Sequence, residues 1–136
     1  MVSAANDGPE GPGRPSSAPV AHVLCDTAAL ATIAPGRSGA VWRLAESGRQ
    51  LDANVVSVPP GGRVETHVEP ELDVLLLVMA GDGTLLRPDG PLPLGEGSLV
   101  WLPHGAIRGL AAGARGLAYL TVHTRRPGMR IGGVRG

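Results

Sequence analysis

Phenylalanine and lysine are both missing from these 136 residues. Aromatic side chains come down to two Trp and one Tyr, so an interior has to be assembled from Val, Leu, Ile and Ala. Branched aliphatics of that kind pack well on a pleated surface, which favours β-structure. With no Lys, every basic residue is Arg. Together with the richness in Ala, Gly and Pro, this reads as the base composition of a GC-rich bacterial genome and carries little functional information. The formal net charge is zero and no Arg cluster alternates with aromatics, which leaves nucleic-acid binding through a basic face with little support. Cys25 is the sole cysteine, so an intrachain disulfide and a thiolate zinc cluster are excluded, and a reducing cytoplasm fits. No basic segment followed by an apolar one opens the chain, so no signal peptide is expected. No apolar run approaches a membrane span; the longest, residues 74–80, suits a buried strand. Cys25 has no motif around it and no Ser stands in a nucleophile-elbow pattern, so nucleophilic catalysis has no support.

Glycine and proline, at 21 and 13 residues, are what the chain has in plenty, and they punctuate it into short elements. Residues 1–21 hold almost no large apolar side chain and are expected to be a disordered tail. Asp26-Thr27 can cap a short helix that Pro35-Gly36 ends. Strands are then expected over residues 39–44, 51–58, 64–69, 73–80, 84–87, 92–94, 98–102, 106–111 and 116–124. Residues 73–80 are apolar on both faces, which predicts a strand covered on both sides. Gly81-Asp82-Gly83 predicts a hairpin. Residues 127–136 form a Gly- and Arg-rich tail. Many short strands with turn signals between them imply an all-antiparallel sandwich or closed barrel.

The chemistry-bearing residues lie in two stretches. Gly61/Gly62 leads to His67, then Glu69, then Asp73, then Gly81. Further on, Gly97 is followed after five residues by Pro103-His104-Gly105 and, two residues later, by Arg108. In this order and spacing the chain resembles the cupin family, small jelly-roll β-barrels, over residues 22–126. The resemblance implies an all-β antiparallel jelly-roll barrel and, since cupins commonly pair through sheet faces or edge strands, a homodimer. The family's ligand set is three His and one carboxylate. Of those four positions this chain keeps the residue itself only at His67; Glu69 and Arg108 stand where the other two His would be, and Asp73 where the Glu would be.

His67 and Glu69, two apart on a strand, share a face. In the cupin arrangement that face is the barrel interior, and Asp73 and Arg108 arrive beside it. An imidazole with two carboxylates can hold Mn, Fe or Zn. A guanidinium has no lone pair to donate and repels a cation. The preferred expectation is therefore a metal-free barrel in which Arg108 pairs with Asp73 or Glu69, and His67, Glu69, Asp73 and Arg108 hold a small polar ligand. The alternatives are a divalent-metal dioxygenase or isomerase using His67, Glu69 and Asp73, and an interaction protein with a vestigial pocket. His104 is read as a surface turn residue and Trp101 as core or interface packing. His123, with Tyr119 and Thr121 on its face, is a candidate for the pocket mouth. Arg125-Arg126 is read as a solvated strand end.

Overall fold

The computed structural model describes residues 18–33 and 37–126. The expected helix stop at Pro35-Gly36, the C-terminal tail and residues 1–17 of the N-terminal tail lie outside them. Helix α1 spans Thr27–Ile33. Its start is the expected one: Asp26 Oδ1 accepts hydrogen bonds from the amides of Ala28 at 3.0 Å and Ala29 at 3.4 Å. Seven strands follow among the described residues: β1 Gly39–Arg43, β2 Leu51–Val58, β3 Arg63–Val68, β4 Val74–Leu86, β5 Leu92–Gly95, β6 Leu99–Leu102 and β7 Ile107–Thr124. No described helix is long and apolar enough to cross a membrane.

Two expected reversals are absent. Gly81-Asp82-Gly83 does not reverse the chain; β4 continues to Leu86. Residues 106–111 and 116–124 are likewise not separate strands but the two halves of β7. A two-residue hairpin of type I′ needs two successive positive φ angles, and any hairpin here would pair the strand with its own continuation, whereas residues 81–86 pair with β7 and β5. Here Gly81 has a φ of 83° and neither Asp82 nor Gly83 has a positive one. The chain bends at that point instead of reversing.

The bend is shared. While β4 advances from Gly81 to Gly83, its partner on β7 moves from Leu117 to Ala112. The residues of β7 left over, 113–116, bulge outward, and Asp82 faces them. Its Oδ1 lies 3.4 Å from the Arg115 amide and 3.6 Å from Arg115 Nε. The two backbones touch here: a Cβ on Gly81 would overlap the Gly116 carbonyl, and one on Gly83 the Ala111 carbonyl.

Because both long strands bend, each serves two sheets. The first sheet runs β1, β2, the C-terminal half of β7, the N-terminal half of β4, and β6. The second runs β3, the N-terminal half of β7, the C-terminal half of β4, and β5. Pro93 sits in β5, which pairs only with β4, at an edge where a missing amide costs least. This is the antiparallel jelly-roll that the sequence implies. Between the sheets lie Val58, Val74, Leu76, Val78, Leu85, Leu94, Leu102, Leu110, Leu117 and Tyr119.

The outer face of the first sheet corrects a second expectation. Residues 74–78 alternate buried and exposed, so β4 is not covered on both sides. Leu75 pairs with Trp101 and Leu77 with Leu99 across β4 and β6, and all four face outward. Leu99 is 69% exposed and Trp101 58%. An apolar run shows that neither face repels a nonpolar neighbour; it does not show that the chain itself supplies one. Helix α1 reaches only the other end of this face, where Ala31 shares a small cavity with Ser57, Ala80 and Ala118.

The Gly81 approach is testable. Gly81→Ala combines a left-handed backbone with an overlap of backbone atoms, and should cost at least about 2–4 kcal/mol. Urea denaturation checks this; a loss under about 1 kcal/mol would show that the β4–β7 contact can relax.

Candidate functional site

The barrel interior opens at one end through two connected cavities. The deeper one, about 100 Å³, is walled by Val64, Leu76, Leu85, Leu102, Leu110 and Tyr119. The outer one, about 220 Å³, is bounded by Glu69, Leu72, His123 and Arg126. His67, Val74, Arg108 and Thr121 line both and mark their junction.

Local geometry puts His67 and Arg108 there. β3 and β7 pair Val64 with Leu110 and His67 with Arg108, so β3 uses one more residue than β7 over that stretch. The extra residue is a β-bulge at Glu65-Thr66. It shifts the alternation by one, so that Val64 and His67, three apart, both line the barrel. Gly109 makes room for it: a Cβ there would stand 2.9 Å from Thr66 Oγ1 and 3.0 Å from the Val64 carbonyl oxygen. His67 donates its Nδ1 proton to the Glu65 carbonyl at 3.0 Å. A carbonyl can only accept, so the neutral ring keeps its lone pair on Nε2.

Arg108 is 8% exposed. Among the described residues it forms no ion pair, and its Nη1 is buried without a hydrogen-bond partner. The expected pairing with Asp73 or Glu69 is not made, because both carboxylates are engaged elsewhere. Glu69 takes an ion pair from Arg126 Nη2 and a 2.9 Å hydrogen bond from the Glu71 amide. Burial pushes the Glu69 carboxyl up, but these bonds and the Arg126 charge outweigh it and leave it below its usual value. Asp73 accepts from the His104 amide at 2.9 Å and from His104 Nδ1 at 2.7 Å, which holds its carboxyl below the usual range. It lines neither cavity. Val74, Leu76 and Val78 point inward, so Asp73, one residue earlier, points out.

The expected four-residue constellation is thus reduced to His67 and Arg108 at the junction, with Glu69 at the mouth and Asp73 outside. Asp73 and His104 instead tie the Pro103–Ala106 turn to the loop after β3, aided by the Gly105 amide on the Glu69 carbonyl at 2.8 Å. His104 is exposed in its turn, as expected. His123 and Thr121 do line the mouth cavity, and Tyr119 lies deeper. Burial pushes the Tyr119 phenol up to about 12, so it stays a protonated donor. Arg126 is the residue that sequence reasoning missed. It lies 57 residues from Glu69 along the chain, and no local signal links them.

A divalent cation does not fit this donor set. Among the described residues no three His, Cys, Asp or Glu side chains come together to hold one. The permanent charge opposite His67 opposes it further.

Neither the protein-family models nor the curated proteins give any match to this chain. Its fold is nevertheless shared with solved structures. A cupin-2 domain protein from Shewanella frigidimarina is 16% identical, with a TM-score of 0.59, over 75% of this chain and 95% of that one. The polyketide cyclase RemF from Streptomyces resistomycificus is 23% identical, with a TM-score of 0.56, over 66% of this chain and 70% of that one. The cupin domain of Schizosaccharomyces pombe Cnp3 is 13% identical at a TM-score of 0.56; the match covers 62% of this chain and 59% of that domain. The chain has the cupin fold, as its two Gly- and Pro-framed motifs implied.

An Arg108 paired with a carboxylate would make its removal destabilising. The unpaired guanidinium reverses that expectation. Arg108→Met keeps length and removes the buried charge, and should stabilise the ligand-free protein by about 1–3 kcal/mol. Thermal denaturation reads this directly; a lower melting temperature would mean that the guanidinium has a partner.

Proposed function

We propose that the barrel is a metal-free binding pocket for a small polar organic molecule. One observation carries this reading: a buried, unpaired Arg108 stands opposite His67, at the position where the motif would place a metal ligand. Burying a cation without a partner is costly, and a site retains such a group when a bound molecule completes it. The reading of a metal-dependent dioxygenase or isomerase requires Glu69 and Asp73 to converge on His67. Glu69 is held by Arg126, and Asp73 faces away. The reading of a vestigial pocket sits poorly with cavities of about 100 and 220 Å³.

Purification in the presence of Mn, Fe, Ni, Cu and Zn, followed by elemental analysis, tests this. The expected result is substoichiometric metal that does not change in His67→Ala. One equivalent of metal that is lost in His67→Ala would overturn the proposal.

A homodimer is the assembly that we propose for the outer face of the first sheet. Leu75, Leu77, Leu99 and Trp101 form an uncharged patch on adjacent strands, and a two-fold axis would place the same patch on itself. The fold's habit of pairing through sheet faces supports the same occupant. Analytical ultracentrifugation should give a dimer for the native chain and a monomer for Leu99→Glu combined with Trp101→Glu. A monomeric native chain at tens of micromolar would refute this.

A further inference from the structure

Resting on the pocket reading above, we infer that the ligand is a small monocarboxylate whose short apolar end enters the deep cavity. The charges lining the two cavities give the sign. Arg108 and Arg126 are the cations and Glu69 the only anion, and Glu69 is already paired with Arg126. One positive charge is left over, and it is the buried one. A single negative charge balances it.

Hydrogen-bonding capacity gives the group. Arg108 Nη1 is a buried donor with no acceptor. The Tyr119 hydroxyl is a second donor with no acceptor among the described residues. Thr121 adds a third donor at the junction. No carboxylate lines the deep cavity. His67 Nε2 is the one ring acceptor at the junction and the two hydroxyls can turn to donate, so the fixed, charged donor without an acceptor is Arg108; a carboxylate offers two acceptor oxygens in the geometry a guanidinium matches.

Shape gives the rest. Beyond the junction the walls are Val64, Leu76, Leu85, Leu102 and Leu110. A dry apolar cavity of about 150 Å³ holds a benzene ring, so one of about 100 Å³ suits an aliphatic end of roughly three or four carbons. Sulfate would keep a second charge that one guanidinium does not offset, and neither sulfate nor phosphate would bring an apolar part to fill that space.

Calorimetric titration of the whole chain with butyrate, its neutral isostere butyramide, inorganic phosphate and chloride tests the inference. Butyrate should bind one per barrel, at least about tenfold more tightly than butyramide, as a charge-assisted bond of this kind implies. Arg108→Gln should remove that margin and leave butyramide within about twofold. Arg108→Lys keeps the charge but not the fork, serves if the Gln variant does not fold, and should keep a reduced preference for butyrate. Butyramide binding as tightly as butyrate would overturn the carboxylate inference and leave the pocket reading standing. Tighter binding of phosphate or chloride would also overturn the inference alone. Neither butyrate nor butyramide binding at millimolar concentration would overturn both.

Discussion

The approach of β4 to β7 at their shared bend is the constraint on which the barrel depends. Each strand must leave one sheet and enter the other at the same level, with their backbones in contact. Gly81 and Gly83 on one side and Gly113 and Gly116 on the other leave no Cβ between them, and Asp82 engages the bulge that the bend creates. The pocket follows from this. The second half of β7, beyond the bend, carries Tyr119, Thr121 and His123 to the same interior that the first half enters with Arg108 and Leu110. Without the bend, these residues would line faces of one extended sheet and enclose nothing.

Inside that enclosure the electrostatics are unequal. Every described carboxylate near the mouth has a partner, and the most buried cation has none. The Asp73–His104 and Glu69–Arg126 pairs are structural clasps on the rim, partly open to water, where such pairs contribute little to stability. Arg108 is less exposed than these rim pairs, and solvent screens it less. Its cost to the empty fold and its use to a bound anion are two sides of the same desolvation. A guanidinium stands opposite His67, at the motif position where the family pattern has a His.

Strand positions were legible from period and punctuation. Residues 51–58 appear as β2 at the expected bounds, and the edge position of Pro93 follows from its missing amide. The errors fell where a local signal admits two long-range outcomes. Gly81-Asp82-Gly83 has the composition of a hairpin, and only the neighbouring strand decides that it bends instead. The apolar run from 74 is compatible with two covered faces, yet none of the described residues covers its outer face at Leu75 and Leu77. At the site, the spacing that singled out His67 and Arg108 corresponds to a register pair across β3 and β7. Asp73 was misplaced because the motif position outweighed the alternation that points it outward.

What the amino-acid order determined by itself is the kind of fold and the identity of two residues in it. Glycines and prolines at set intervals punctuate a run of β-strands, and the spacing to His67 and Arg108 survives any detail of packing. Charge partnership was decided by the tertiary structure alone. An ion pair depends on distances across the barrel, and Glu69 meets Arg126 only because the ends of two strands far apart in sequence meet at one rim. That pairing, and the outward turn of Asp73, leave Arg108 unmatched. The stretch that looked like a metal motif became, on folding, one wall of a pocket whose buried cation has no charge partner among the described residues.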